Sequence, residues 1–271
     1  MRLRFILSIS LCSFLLSFYA FIPVSSASET NQVAIIIDDF GGNVKGVRSF
    51  LDGDIPITVA VMPFMEQSTD QAILAHKAGL EVMIHMPMEP KKGKASWLGP
   101  NAITSDLTND EVRKRVLAAI ENVPYAKGIN NHMGSKIVED ERIMRVILEV
   151  ARENGLYVID SGTSSSSVIP KLSEEMNIPY AKRSIFIDDT HSSRQHVNKQ
   201  MNSLLKIAQK HHKAIAIGHV GVKGNETYSG ISNSLSTFKK EQVEIVPVSH
   251  ILETTIDKDH SRFWHPKEGA E

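Results

Sequence analysis

The chain has 271 residues, of which 42% are hydrophobic and 23% charged, and its formal net charge is −1. This composition is ordinary for a globular protein and excludes a disordered chain, a fibre and a membrane protein with several spans. A charge so close to zero also argues against nucleic-acid binding, which needs a basic surface. We therefore expect one sizeable core and no nucleic-acid partner.

Residues 1–27 have the pattern of a secretory signal. Arg2 and Arg4 form a positive N-terminal region, an apolar run covers residues 5–24, and Ser-Ser-Ala at 25–27 is a small-residue cleavage site. The alternative is an uncleaved anchor, because about 20 apolar residues can just span a bilayer. Both forms predict an extracytoplasmic protein, secreted or associated with the cell envelope, with membrane contact only through such an anchor.

Cys12 is the single cysteine of the chain and lies inside this first segment. A cleaved chain would therefore contain no thiol. Any metal would have to be bound by His, Asp or Glu side chains, and thiolate chemistry is excluded.

From residue 33 onward, short runs rich in β-branched residues alternate with longer amphipathic segments, which is the pattern of β/α units around a parallel sheet. The strands are predicted at residues 33–37, 57–62, 80–85, 128–131, 156–159, 184–187, 214–217 and 243–248. The helices are predicted near residues 43–52, 66–78, 109–121, 139–154, 169–178, 191–212 and 231–240.

Several predicted strands, such as residues 34–37 and 214–217, are apolar on both faces. Strands of this kind are covered on both sides, as in barrels and doubly wound sheets. The predicted fold class is α/β, a distorted (β/α) barrel of seven to eight parallel strands. An open doubly wound sheet stays as the alternative, because the sequence does not reveal closure. We expect a single domain over 31–253 and a polar C-terminal tail over 254–271.

Polar or ionisable residues follow almost every predicted strand. They include Asp38-Asp39, His85, Asn131-His132, Asp160-Ser161, Asp188-Asp189 and His219. In a β/α barrel the C-terminal ends of the strands meet on one face, where such folds bind ligands. A single Asp after a strand is often only a helix cap, but many carboxylates and imidazoles on one rim need a cation or proton chemistry to explain them.

Three of these residues suit a catalytic metal ion. Asp39, His85 and His132 provide one carboxylate and two imidazoles, a ligand set that leaves a position open for water. A metal lowers the pKa of such water, so that a neighbouring carboxylate can remove its proton. Asp38 is the predicted base, and His219 is the predicted acid that protonates a leaving amine.

Five segments are similar to motifs of the divergent polysaccharide deacetylase family and occur in that family's order. They are Ile-Ile-Ile-Asp38-Asp39-Phe-Gly, Glu81-Val-Met-Ile-His85-Met-Pro-Met-Glu89-Pro, Gly128-Ile-Asn-Asn131-His132-Met-Gly-Ser135, Tyr157-Val-Ile-Asp160-Ser and Ala216-Ile-Gly-His219-Val-Gly. The resemblance implies a distorted β/α barrel related to carbohydrate esterases that remove N-acetyl groups from chitin-like or peptidoglycan sugars with a divalent metal, usually zinc. It also implies that Asp38 is the base, Asp39 a metal ligand and His219 the acid.

The sequence departs from ordinary deacetylases at the second ligand histidine. Ordinary members carry two ligand histidines four residues apart, whereas here His85 is followed by Glu89. His132 is the obvious substitute, although Glu89 could complete the set instead.

The Arg-Pro-Pro-Tyr-Gly type motif that normally supports the base also has no counterpart. Other polar residues are therefore candidates for supporting the site or binding substrate. They are Asp160, which is also a candidate catalytic residue, together with Glu89, Asn131, Ser135 and Asp188.

The leading hypothesis is a metal-dependent hydrolase that removes N-acetyl groups from an extracytoplasmic polysaccharide or oligosaccharide, with zinc as the expected ion and an N-acetylated glycan as the partner. A non-catalytic carbohydrate- or cell-wall-binding module is the alternative, which the missing histidine favours. A metal-free glycoside hydrolase is less well supported, because its two carboxylates do not need the rim histidines. Trp97, the one tryptophan outside the tail, is interpreted either as loop packing or as a sugar-stacking residue.

Overall fold

The computed structural model describes residues 30–188 and 192–256. The predicted signal over 1–27, Asp189 and most of the predicted tail lie outside these residues. Within the described ranges the strands are β1 (Asn31–Phe40), β2 (Thr58–Val61), β3 (Glu81–Met88), β4 (Ala126–Met133), β5 (Tyr157–Asp160), β6 (Tyr180–Lys182), β7 (Ile185–Phe186), β8 (Lys213–His219) and β9 (Val243–Ile245). The helices there are α1 (Val47–Leu51), α2 (Ser68–Lys77), α3 (Asn109–Asn122), α4 (Glu141–Glu153), α5 (Ile169–Met176), α6 (Arg194–His211), α7 (Gly224–Lys240) and α8 (Val248–Ile256).

The helix ends follow the local sequence. The Thr108 side chain accepts a hydrogen bond from the Glu111 amide at 3.3 Å, and the Glu111 carboxylate accepts one from the Thr108 amide at 2.8 Å, which forms a capping box before α3. Asp140 Oδ1 accepts from the Ile143 amide at 3.1 Å and caps α4. Gly155, at φ 68°, ends that helix in the left-handed conformation.

All strand pairs are parallel, and the sheet order is β6-β5-β4-β3-β2-β1-β8-β7, with β9 also paired to β1. Only Arg183 and Ser184 separate the two outer strands, β6 and β7. The Arg183 amide donates to the Asp160 carbonyl at 3.0 Å, and the Ser184 amide donates to the Ile215 carbonyl at 2.8 Å. The sheet therefore curls until its two edges approach each other, as an open, distorted β/α barrel, and the predicted fold class is confirmed.

Two elements of the structure are not predicted from the sequence. β6 is only three residues long and half-buried or exposed, so it shows no apolar run. α8 begins at Val248, which the sequence assigns to the last strand, and continues past the predicted domain boundary to Ile256. Because β6 and β7 lie in one short segment, the sheet has nine strands where seven to eight were predicted.

Side-chain alternation along the strands separates an inner core from an outer core. The inner core, inside the barrel, consists of Ala34, Ile36, Ala60, Met83, Tyr157, Ile159, Ile215 and Ile217 with Val248, Ile251 and Leu252 of α8. The intervening strand residues pack under the surrounding helices. Asp38, His85 and His219 continue the inward series of β1, β3 and β8 and therefore face the interior at the C-terminal rim.

Glu81 anchors α8 at the opposite end of the barrel. Its Oε1 accepts hydrogen bonds from the Tyr157 hydroxyl at 2.9 Å, the Ser249 amide at 3.1 Å and Thr58 Oγ1 at 3.2 Å. Thr58 Oγ1 in turn accepts from the Val248 amide at 3.2 Å, so distant side chains cap the helix. Burial and the Glu81 carboxylate raise the pKa of Tyr157 well above its ordinary value, which keeps the phenol a donor.

Glu81→Ala is expected to lower the free energy of unfolding by about 2–4 kcal/mol, because the Tyr157 hydroxyl and the Ser249 amide lose their acceptor in a buried place. Urea denaturation measures this loss. Lys127→Ala is the control, since Lys127 Nζ lies 4.0 Å from Glu81 Oε2 on a largely exposed side chain. Loss of such a pair costs about 0–1 kcal/mol, and equal stability of the two variants would contradict the anchoring role of Glu81.

Candidate metal centre

A bulge near the end of β1 allows two consecutive aspartates to serve one site. Between Ile37 and Phe40, β1 contains one residue more than β2 opposite. Asp39 has φ 68°, a left-handed conformation that costs most residues about 1–2 kcal/mol but that Asp tolerates comparatively well. In a regular strand Asp38 and Asp39 would point to opposite faces, and the extra residue changes the direction of Asp39.

Asp39, His85 and His132 bring three ligand atoms together. Asp39 Oδ1 lies 3.1 Å from His132 Nδ1 and 3.4 Å from His85 Nε2, and these two nitrogens are 3.1 Å apart. Ligands bound at 2.0–2.1 Å to a tetrahedral ion lie about 3.3 Å from one another. The triangle therefore has the dimensions that such an ion needs, and within residues 30–188 and 192–256 it is the one cluster of this type.

Hydrogen bonds orient both imidazoles with their lone pairs toward Asp39. His85 Nδ1 lies 2.8 Å from Asn130 Oδ1, and His132 Nε2 lies 2.9 Å from the carbonyl oxygen of Trp97. Because these oxygens only accept, the protons lie on the outer ring nitrogens. His85 Nε2 and His132 Nδ1 then face Asp39 as acceptors.

Asp39 Oδ1 is buried and has no hydrogen-bond partner. Three acceptors that face one another in a buried place are unfavourable unless a cation lies between them. Where a proton takes the place of a cation between the imidazoles and Asp39, burial opposes ionisation, but hydrogen bonds from His132 and His85 hold the pKa of Asp39 well below its ordinary value, so the carboxylate is available as a ligand. The donor set thus fits a divalent ion.

Asp38 lies beside the three ligands and is connected to them through Asn130. Asp38 Oδ1 accepts a hydrogen bond from Asn130 Nδ2 at 2.9 Å and lies 3.5 Å from His85 Nδ1. Burial raises the pKa of Asp38, although His85 and His219 oppose this effect. One amide therefore holds both a metal-ligand candidate and a carboxylate of increased basicity.

His219 stands at the end of β8, in register with Asp38 on the neighbouring β1. Its Nδ1 lies 2.7 Å from Asp188 Oδ1, while its amide donates to Asp188 Oδ2 at 2.8 Å. Thr227 Oγ1 also donates to Asp188 Oδ2, at 2.7 Å. Nδ1 thus carries a proton, and Nε2 is the nitrogen that can exchange one. Burial lowers the pKa of His219, but the hydrogen bond and charge of Asp188 have the larger, opposite effect, and the pKa of His219 is raised to about 9.

The family model described as divergent polysaccharide deacetylase matches residues 35–252 of this chain. The chain belongs to that family. A relative from Escherichia coli K12, the uncharacterized protein YibQ, is 33% identical over 204 residues, which cover 75% of this chain and 63% of the relative. The chain thus spans less than two thirds of that relative's length.

Two solved structures share the fold of this chain. An uncharacterized protein from Agrobacterium tumefaciens C58 is 18% identical, with 83% of this chain and 91% of that chain covered and a TM-score of 0.76. A putative polysaccharide deacetylase from Mycobacterium smegmatis is 14% identical, with 91% and 98% covered and a TM-score of 0.56. At these identities the likeness concerns the fold.

In this member of the divergent polysaccharide deacetylase family, Glu89 does not join the ligand cluster. Its Oε1 lies 2.6 Å from Lys136 Nζ, and its Oε2 accepts from the Ser105 amide at 2.8 Å. Ser135 is likewise occupied, since its Oγ accepts from the Lys91 amide at 3.0 Å. Both side chains therefore connect rim loops, and the second imidazole comes from β4 instead.

Asn131 also points away from the ligands. Its Oδ1 accepts from the Ser161 amide at 3.1 Å, and its Nδ2 donates to Thr163 Oγ1 at 3.1 Å. The supporting amide is its neighbour Asn130, which the sequence interpretation missed. The signal was present, because Asn130 and His132 are two residues apart and so share a face of β4.

Asp160 is fully buried behind the site. Its Oδ1 accepts from the Gly162 amide at 2.8 Å, and its Oδ2 has no hydrogen-bond partner. Arg183, which the sequence analysis did not single out, donates to the Ser161 carbonyl at 2.7 Å. Burial lowers the pKa of Arg183, while Asp160 and Asp38 favour its charge, so Arg183 supplies positive charge on this side of the rim.

Asp188→Asn is expected to lower the pKa of His219 well below about 9, because burial is then opposed only by Asp39 and Asp38. NMR titration of the metal-free protein measures this shift. Because the folded-state pKa is raised, the stabilisation from the charged pair is complete below about pH 6.5 and disappears as the pH rises through about 9. The stability difference between wild type and Asp188→Asn should shrink over that window.

Thr227→Val is the matched control, because it removes a hydrogen bond to Asp188 Oδ2 but keeps the carboxylate. An unchanged His219 titration in Asp188→Asn would show that the pair does not control this proton.

No helix in residues 30–188 and 192–256 has the length and apolar character needed to cross a membrane.

Proposed function

We propose that this protein is a metal-dependent deacetylase that hydrolyses N-acetyl groups of an extracytoplasmic polysaccharide or oligosaccharide, with zinc as its ion. The observation that carries the proposal is the triangle of Asp39, His85 and His132 with the proton-transfer residues Asp38 and His219 beside it. Family membership supports the same chemistry. The extracytoplasmic location rests on the signal predicted for residues 1–27.

A divalent ion held by Asp39, His85 and His132 would act as a Lewis acid and lower the pKa of water at the site. Asp38 is the base that removes the proton from the attacking water. Its raised pKa makes it more basic than an ordinary carboxylate, which suits proton transfer nearer neutral pH. Asn130 holds Oδ1 at 2.9 Å, so the proton can be taken up at Oδ2.

His219 is the acid that protonates the departing amine. A pKa of about 9 keeps it protonated at neutral pH, and the bond from Nδ1 to Asp188 directs the reactive proton to Nε2. Attack of water on the acetamide carbonyl and cleavage of its C–N bond then release acetate and a free amino sugar. Base and acid come from adjacent strands, β1 and β8, in register with each other.

The binding module is the second candidate, and it is now less well supported. Its main argument was the imidazole missing at position 89, which His132 supplies from β4. A module that only binds glycans would also have no use for a buried Asp38 or for the Asp188–His219 pair.

The test is acetate release by the purified protein from a panel of N-acetylated oligosaccharides and peptidoglycan fragments, with elemental analysis of the same sample. We expect about one divalent ion per chain, acetate release with the ion present, none after chelation, and recovery when zinc is restored. Metal-loaded protein that binds the glycans without releasing acetate, where a control deacetylase works, would favour the module. New reducing ends would instead indicate a glycoside hydrolase.

A further inference from the structure

Trp97 is exposed at the rim of the site. It ends a short 3-10 helix, Ala95–Trp97, in the segment between β3 and α3, and 58% of its surface is accessible to solvent. Such exposure does not fit the interpretation of Trp97 as a loop-packing residue. An indole left exposed beside a candidate active site offers an apolar ring surface to a ligand.

The backbone of Trp97 is fixed at the metal centre. Its carbonyl oxygen accepts the hydrogen bond from His132 Nε2 at 2.9 Å. The loop is tied back to β3 by the Ile103 amide, which donates to the Pro87 carbonyl at 2.8 Å, and by the Glu89 amide, which donates to the Ile103 carbonyl at 2.8 Å. The Trp97 carbonyl is therefore one hydrogen bond and one imidazole ring away from the ligand atom His132 Nδ1, and the indole projects from this fixed backbone.

We infer that the Trp97 indole is a stacking platform for the sugar next to the one that loses its acetyl group, an inference that rests on the proposed deacetylase function. The indole is connected to His132 Nδ1 only through the Trp97 backbone and the His132 ring, so we assign it to a neighbouring ring of the same glycan chain and not to the reacting acetamide. A pyranose presents an apolar C–H face, and covering the indole with that face removes apolar surface from water. The substrate is thus a glycan of at least two sugars.

Lys94 lies over the same indole, with Nζ 5.3 Å from the ring centroid. Contacts of this kind contribute only about 0.5–1 kcal/mol at exposed sites. A sugar ring that covers more of the indole can replace the flexible lysine chain. Lys94→Ala therefore serves as the matched control, because it changes the same loop but keeps the indole.

The first experiment measures kinetics on metal-loaded protein with N-acetylglucosamine and its tetramer. We expect Trp97→Ala to raise KM for the tetramer roughly tenfold with kcat changed less than about twofold, and Trp97→Phe to raise it roughly threefold. KM for the monomer should stay unchanged in both variants, and Lys94→Ala should stay within about twofold of wild type.

The second experiment measures binding without turnover. Trp264→Phe leaves Trp97 as the single tryptophan of the chain, and titration of this chelated protein with the tetramer should change the Trp97 fluorescence. Calorimetry on chelated Trp97→Ala should give binding of the tetramer weaker by roughly tenfold. Metal content should be that of wild type, because His132 contacts the backbone of Trp97 and not its side chain.

Wild-type KM and tetramer affinity in Trp97→Ala would overturn the platform and leave the deacetylase proposal intact. Equal weakening for monomer and tetramer would overturn its position at the neighbouring sugar. Loss of metal from Trp97→Ala would also overturn the platform, since the side chain would then support the loop. Trp97-dependent tetramer binding without any acetate release would support the platform and contradict the deacetylase.

Discussion

Asp39→Asn is expected to leave a folded protein without its metal ion. Asn tolerates the left-handed conformation at φ 68° as Asp does, so the β1 bulge should persist. The neutral amide removes the negative charge from a ligand set whose other members are two neutral imidazoles. Mutation of a residue that only hydrogen-bonds a metal ligand typically lowers metal affinity by roughly 10–100-fold. Because Asp39 is itself a ligand, we expect metal affinity to fall by well over 100-fold and acetate release to fall with it.

Elemental analysis after dialysis and zinc titration by calorimetry measure this effect, and circular dichroism checks the fold. Glu89→Gln is the informative control, because Glu89 is the rival ligand from the sequence but contacts Lys136 and Ser105 instead. It should keep its metal. Full metal content in Asp39→Asn, or its loss in Glu89→Gln, would contradict the ligand triangle.

Asp38→Asn is expected to keep the metal and lose the reaction. The Asn oxygen can still accept from Asn130 Nδ2, so His85 should stay oriented. What disappears is the base, and acid–base groups of this kind typically contribute 10²–10⁴-fold, so we expect kcat to fall by about that factor. Since burial raises the pKa of Asp38, wild-type activity should also decline on the acidic side at a higher pH than an ordinary Asp would give.

Acetate release as a function of pH, with metal content measured on each sample, tests this prediction. Asp52→Asn is a chemically matched control on an Asp whose side chain is 68% exposed, and it should behave as wild type. Activity of Asp38→Asn within tenfold of wild type would mean that another residue accepts the proton.

The polar residues that form the site were largely recognisable from local pattern. Asp38, His85, His132 and His219 each stand at the end of a predicted strand, and in a parallel barrel those ends meet on one face. Asn130 is a partial exception. Its place followed from alternation with His132, yet the residue predicted to support the site was Asn131, which faces the other side.

Other features of the site depend on contacts between distant segments. The sequence around Glu89 does not predict that its carboxylate contacts Lys136 and the Ser105 amide. The sequence around Asp188 likewise does not predict that His219 is its partner. The sequence of α8 itself also does not predict that Glu81 and Thr58 cap this helix. To predict each of these contacts, one would have to know the path of a loop or the register between two strands.

The sequence by itself therefore determined the fold class, the order of most elements and the rim on which the polar groups gather, because burial and strand alternation are encoded within a few residues of each position. The tertiary structure alone decided that a bulge turns Asp39 toward two imidazoles, that His132 and not Glu89 completes the ligand set, and that β6 and β7 bring the sheet edges together. These outcomes depend on register and closure, which arise from the simultaneous packing of segments far apart in the chain.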